Sequence, residues 1–332
     1  MRYFRVSWSI LATMKLPGAV EFRGPRAVVT AAAVLVAVAL PLAACGSSGT
    51  SSSSSAASPV AGGSPQSSSA GAMGSGPVNV LYAGSLVDLM QSQIGPGLKK
   101  ASGYDVEGFA AGSNALATQI KGKVHQGDVF ISANPKVNTT LQGAKNGNWV
   151  SWYATYSSSP VVIGFDPKSK FAKELRTKPW YDVVTEPGFR LGRTDPVNDP
   201  KGKLAKQALT SQAKKTPALS KLASSDAGIY PEETLIGRLQ SGQLDAGFFY
   251  NSEAVAAKIP TVPLTGQALK AVYTVTVLNR APHPSAAIAF VKYLLGPKGA
   301  ADLKKDGYNL VAPPKATGSG MPAVLKSVIS GS

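Results

Sequence analysis

Cysteine and histidine are nearly missing from this chain of 332 residues: there is one Cys, and there are two His. A single Cys excludes an intramolecular disulfide framework, and so few ligands argue against zinc ribbons and multi-His metal sites. Charge is sparse too, at 16%, and lopsided, with 34 Lys+Arg against 18 Asp+Glu and a formal charge of +16. A basic balance suits nucleic acid, a membrane surface or a small anion, and the total does not choose among them. The apolar run at residues 27–40, interrupted only by Thr30, is shorter than the roughly 20 residues a membrane-spanning helix needs. What is present is a chain with 44% apolar residues, long enough for two average domains or one large α/β unit.

Arg2, Arg5, Lys15, Arg23 and Arg26 precede that run, opposed only by Glu21, and Leu42-Ala43-Ala44-Cys45-Gly46 follows it. A basic stretch, an apolar core and small residues at its end form an export signal. Leu-Ala-Ala-Cys-Gly resembles the lipobox of bacterial lipoproteins, in which the cysteine is lipidated and becomes the new N-terminus. By that resemblance residues 1–44 are a signal peptide and Cys45 is the lipidation residue, which holds the chain on the extracytoplasmic face of the cell membrane. An ordinary signal with an incidental cysteine is the alternative, and Met14 is an alternative start. Residues 46–77 are almost wholly Ser, Gly, Ala and Pro. Such a composition cannot bury enough apolar surface to offset its ordering entropy, so 45–77 is expected to be a flexible tether behind the lipidated Cys. Removing residues 1–44, which hold five basic residues and one acidic, leaves +12.

From Val78 onward, short β-rich runs alternate with helical stretches. Val78-Asn79-Val80-Leu81-Tyr82, residues 104–109, Asp128-Val129-Phe130-Ile131-Ser132, 161–165, 190–192, 246–250 and 271–277 read as strands. Helical periodicity runs over 86–100, where Gly95-Pro96-Gly97 breaks or kinks it, and over 114–124, 201–213, 231–241, 251–257, 284–295 and 297–305. Alternation of this kind implies α/β architecture with mostly parallel sheets.

One near-repeat carries chemistry. Strand, Ala-Gly-Ser, helix occurs at Ser85 and again at Ser113. Gly lets the backbone turn sharply and Ser falls at the expected helix N-cap, where free N–H groups and a partial positive charge favour an anion. Two such loops at the carboxyl ends of neighbouring parallel strands converge where ligands bind α/β sheets. The plainer alternative is that each serine only caps its own helix.

These loops, with Val80-Leu81-Tyr82-Ala83-Gly84-Ser85-Leu86, Ala110-Ala111-Gly112-Ser113, Asp128-Val129-Phe130-Ile131-Ser132-Ala133, the Gly192–Gly202 segment, Gly242–Tyr250 and Phe290–Leu295, resemble the molybdate/tungstate-binding proteins of ABC importers over residues 78–315. The resemblance implies a type 2 periplasmic-binding-protein fold: two α/β lobes, a two-stranded hinge, and a cleft that closes on a tetrahedral oxyanion. Lobe 1 would comprise 78–164 and 265–315, lobe 2 165–264, with 316–332 a C-terminal tail. It implies binding roles for Ser85 and Ser113, for Ser158 or Ser159 (Ser159 preferred), for Asp199 and for Tyr250. It implies delivery to an ABC permease, no cofactor and no catalysis. Archaeal tungstate binders of this family carry acidic residues that complete an octahedral metal site. Here Phe249 stands where they carry Glu, which leaves one carboxylate short.

Asp199 poses a physical problem, because a bare carboxylate repels a dianion and more so in a dry cleft. It is protonated, binds the metal centre, or caps the helix that starts near Lys201. Arg193 and Lys201, near the same loop, could supply positive potential, although Lys201 reads more readily as an exposed first-turn lysine. Other chemistry lacks its motifs: Gly-x-Ser-x-Gly and a phosphate-binding Gly-x-x-x-x-Gly-Lys-Ser/Thr loop are absent. His125 and His283 lie beside loops, which disfavours a Ser-His-Asp triad. Trp149, Trp152, Tyr153 and Tyr156 are expected to pack at the lobe junction. A sulfate or phosphate binder, an exported serine hydrolase and a polyanion-binding module stay open as alternatives; nucleic acid is not expected as a partner.

Overall fold

The computed structural model describes residues 74–330. The expected signal peptide, Cys45 and most of the expected tether lie outside these residues. Within them, no helix is long and apolar enough to cross a membrane.

Strands β1 (Pro77–Ala83), β2 (Asp105–Ala111) and β3 (Val129–Ser132) form a parallel group in the order β2-β1-β3. All four residues of β3 are buried, as expected of a strand covered on both faces. On one face Leu81 and Phe130 pack against Leu116, Ala117 and Ile120 of the Ser113–Lys121 helix. On the other, Val80, Tyr82, Val129 and Ile131 meet Ala286, Ala287, Phe290, Val291 and Leu294, the apolar stripe of the Pro284–Leu295 helix.

The long strand β4 (Trp152–Phe165) joins two halves of the molecule. Its first part pairs with β8 (Lys270–Val277) and β9 (Asn309–Gly318). From Val161 to Phe165 it pairs instead with β6 (Ala246–Tyr250) and, in part, with β7 (Thr261–Pro263). β5 (Leu191–Gly192) completes the sheet beside β6. The main order is β2-β1-β3-β8-β4-β6-β5.

The sheet is mixed. Three strand pairings are parallel and five antiparallel among the described residues, against the expectation of mostly parallel sheets. The reason is local: β8 and β4 run between the halves as antiparallel neighbours, and β9 returns alongside β4. Both Ala-Gly-Ser loops nevertheless leave from the parallel pair β1 and β2.

Two further differences have physical causes. Gly95-Pro96-Gly97 does not break the first helical stretch; a wide π turn, Met90–Ile94, leads straight into the Gly95–Ser102 helix. Pro96 has no N–H to give, and the Gly95 N–H reaches back to the Met90 carbonyl, which absorbs the misfit. Among the aromatics, Trp152 and Tyr156 are buried on β4, and the Tyr156 ring is 6.4 Å from that of Tyr273. Trp149 lies instead under the Arg280 guanidinium, 4.3 Å from it. The residues that follow β9 are packed, with Leu325 and Ile329 buried.

Candidate functional site

Ser85 sits in a 3-10 turn, Gly84–Leu86, directly after β1, and Ser113 is the first residue of its helix. Neither takes the cap position expected for it. The extended Ala83 and Gly112, with ψ of 134° and 135°, occupy those positions, and neither serine caps its own helix. The hydroxyls bond elsewhere: Ser85 Oγ accepts from Tyr273 Oη at 3.1 Å, and Ser113 Oγ accepts from the Ala133 N–H at 3.1 Å. On β4, Ser159 Oγ accepts from the Ser252 N–H at 3.0 Å, at the start of the Asn251–Ala256 helix. Ser158 is half-buried. A register shift between Thr155 and Ser157 also turns Ser157 inward, where its buried Oγ has no partner. The sequence gives no alternation signal for that.

Each of the three site serines therefore accepts one hydrogen bond, and none donates one among the described residues. A hydroxyl with an occupied lone pair still has its hydrogen to give. Three buried O–H donors are thus held in fixed positions by the fold.

The second half brings charge. Asp199 caps the Pro200–Ala213 helix, its Oδ1 accepting from the Lys201 N–H at 2.8 Å, while Oδ2 has no partner. Lys201 is fully buried, contrary to the expected exposed lysine, because the first turn of that helix points into the seam between the halves. Its Nζ donates to Glu253 Oε1 at 2.7 Å and lies 3.4 Å from Glu232 Oε1. Glu232 gains an ion pair there but no hydrogen-bond geometry at either oxygen. Glu253 Oε2 accepts from the Tyr250 N–H at 2.7 Å. The Tyr250 hydroxyl, fully buried, has no partner. Arg193 turns away and donates to the Ser225 carbonyl.

Three carboxyl groups thus surround one ammonium in a dry setting, which favours protons over net negative charge. Burial pushes Glu232 well above the usual carboxylate range, with the nearby Asp199 adding to the shift. Burial likewise pushes Asp199 up to about 6, against the pull of Lys201. Burial works against the charged form of Lys201 too, but Glu253, Glu232 and Asp199 more than offset it and hold the ammonium. Glu232 therefore holds a proton more readily than an ordinary glutamate does. Glu232 and Glu253 were not singled out in the sequence, where the missing acid was sought at position 249. Phe249 is buried, its ring 5.8 Å from Lys201 Nζ.

The halves touch through the two glycines. A Cβ on Gly112 would lie 2.4 Å from the Asn198 carbonyl, and one on Gly84 would lie 3.0 Å from the Glu232 side chain. The Asn114 and Ala115 N–H groups both donate to Asn198 O at 3.1 Å, and Asn114 Nδ2 donates to Val197 O at 2.7 Å. Two of the helix-start donors expected for an anion are thus spent on the opposite half. Cavities flank the seam; one is lined by Ser85, Glu232, Ser252, Glu253 and Tyr308 among others. Both histidines are engaged with other residues: His125 stacks on Phe109 at 4.0 Å, and His283 Nδ1 is 3.0 Å from Asp128 Oδ2.

Two α/β halves strung on a shared strand, with buried polar groups at their seam, define the periplasmic-binding-protein-like fold. The chain belongs to the bacterial extracellular solute-binding proteins, whose family profile matches residues 78–309. A solute-binding protein of Petrotoga mobilis is 27% identical over 279 residues, 73% of this chain and 86% of that one. The molybdate/tungstate-binding protein WtpA of Pyrococcus abyssi is 24% identical over 309 residues, 75% of this chain and 89% of that one. The periplasmic molybdate-binding protein of Azotobacter vinelandii shares the fold with a TM-score of 0.57 at 21% identity, covering 70% of this chain and 99% of the other.

Proposed function

We propose that this protein captures molybdate or tungstate in a cleft between its two halves and hands it to an ABC permease, making and breaking no bond. The observation that carries the reading is the set of three serines, Ser85, Ser113 and Ser159, each held as an acceptor with its hydrogen free. Their donors suit an oxyanion, and the names of the relatives supply the metal oxyanion class. The unpartnered Tyr250 hydroxyl adds a fourth donor. Where they hold a proton, Glu232 and Asp199 each remove a repulsive charge and offer another hydrogen. The open oxygens of Asp199 and Glu232 also give an expanded coordination sphere a second carboxylate, which position 249 lacks. Discrimination against sulfate then rests on cavity size and donor placement.

In this reading 78–164 with 265–315 and 165–264 are the two closing lobes, with β4 one of the two hinge strands. The chain is carried to the membrane surface by the 1–44 signal and held there by lipid on Cys45. Calorimetry on residues 74–332, which carry their own core, is expected to show tight binding of molybdate or tungstate and weak binding of sulfate and phosphate. Absence of heat with both metal oxyanions sinks the proposal, and tighter sulfate or phosphate binding moves it to that anion.

A further inference from the structure

Between residues 200 and 224 the sequence holds six lysines and no acidic residue. Lys201 belongs to the site already described. The other five, Lys203, Lys206, Lys214, Lys215 and Lys221, are exposed on the helices Pro200–Ala213 and Leu219–Ser224 and the turn between them. Lys203, Lys206, Thr210 and Lys214 recur at spacings of three and four, so they stand on one helix face, opposite the buried Ala205, Ala208 and Leu209. None of the five forms an ion pair among the described residues, although exposed basic residues elsewhere do: Lys99 with Asp105, Lys178 with Glu174 and Arg190 with Asp245. Lys203 and Lys206, three apart on the helix, are like charges that weaken it slightly, and neither has an acidic partner among the described residues. Between the two helices lies a shallow hollow lined by Lys206, Thr210, Lys214, Ser220 and Ser224. Ser224 Oγ donates to the Ser220 carbonyl at 3.0 Å, so two ammonium groups and the hydroxyls of Thr210 and Ser220 are the donor set this concavity offers a phosphate ester.

We propose that this face docks on an anionic lipid surface, with phospholipid headgroup phosphates seated against the hollow. A bilayer presents many phosphates in one plane, which matches five lysines spread over two helices better than a single small anion does. Each lysine near such a surface strengthens binding about fivefold, an effect that falls off within a Debye length. The docking stands apart from the oxyanion site. The lipid anchor proposed at Cys45 would raise the local concentration of the surface but is not needed for the contact itself.

Flotation of residues 74–332 with phosphatidylglycerol-containing vesicles, against pure phosphatidylcholine vesicles, tests this. The protein is expected on the anionic vesicles at low salt and to leave them as salt rises. The combined K203Q/K206Q/K214Q/K215Q/K221Q variant should lose about 100-fold or more in vesicle affinity. A matched variant with the exposed Lys121, Lys136, Lys145, Lys298 and Lys326 changed to Gln should stay within about threefold, since those lysines belong to other elements and are not clustered on these two helices. Circular dichroism and thermal melting on both variants check that they fold whatever the oxyanion result, which keeps failure of the docking distinct from failure of the proposed function. Equal loss in both variants overturns the proposal, as does equal binding to neutral vesicles. Displacement by millimolar inorganic phosphate, or tighter binding to a soluble polyanion than to vesicles, overturns it in favour of those ligands.

Discussion

The two sides of the seam solve the same electrostatic problem differently. The first half presents neutral hydroxyls, Ser85 and Ser113, each already anchored by a donor. The second presents Asp199, Lys201, Glu232 and Glu253, buried charges that depend on one another. A neutral side can be built from short local motifs and tolerates loss of one member. A charged side is a unit, because each group is tolerable only while its neighbours are in place.

The largest effect should come from breaking the charged side at its centre. Lys201→Met leaves Glu253 without its cation and is expected to cost about 3–5 kcal/mol in urea denaturation, whereas exposed Lys203→Met should stay within about 0.5 kcal/mol. A small loss at Lys201 would mean that protonation alone neutralises the cluster.

The charged side should also make stability depend on pH. Folded Asp199 keeps its proton up to about 6, while an ordinary aspartate releases it near 3.8. The folded state therefore holds more protons across that window. The contribution is fully present below 3.8 and is lost as pH rises through about 6. Glu232, also raised, carries the loss to higher pH. Denaturation of the ligand-free protein should show a decline on the order of 1–3 kcal/mol, flattened in Glu232→Gln. An unchanged profile in that variant would place the titration elsewhere.

The two glycines sharpen the comparison within the neutral side. Gly112→Ala drives a methyl against a backbone carbonyl at 2.4 Å, whereas Gly84→Ala meets the Glu232 side chain at 3.0 Å, which has more room to shift. Oxyanion affinity should fall about 10- to 100-fold for the first and less than about fivefold for the second. Tyr250→Phe should have the smallest effect on stability. Its hydroxyl pairs with nothing, so stability should hold while affinity drops by about 0.5–1.5 kcal/mol.

The neutral side was legible in the sequence, because Ala-Gly-Ser after a strand is a local signal and occurs twice. The charged side was not. Asp199, Glu232 and Glu253 lie on three separate segments, and only the tertiary fold brings them to Lys201. Periodicity located β1, β3, β6 and β8 to within a residue or so, and the Pro284–Leu295 helix as well. It passed over β9, whose Pro313 and Pro314 argue against a strand yet are tolerated at a sheet edge. It also saw only the last five residues of β4, because the register shift beside Ser157 interrupts the alternation upstream.

β4 runs unbroken for 14 residues through both halves and changes its partners between Pro160 and Val161. A strand resists stretching along its length but yields readily in torsion, so in the proposed cycle it would serve as a strap hinge. A door hung on a strap returns to the same latch point at each closing. For Gly112 and Asn198, and for Gly84 and Glu232, the proposed function then implies that repeated cycles of capture would bring the same atoms back together, with the spacing of the donors set by the strap rather than by the cargo.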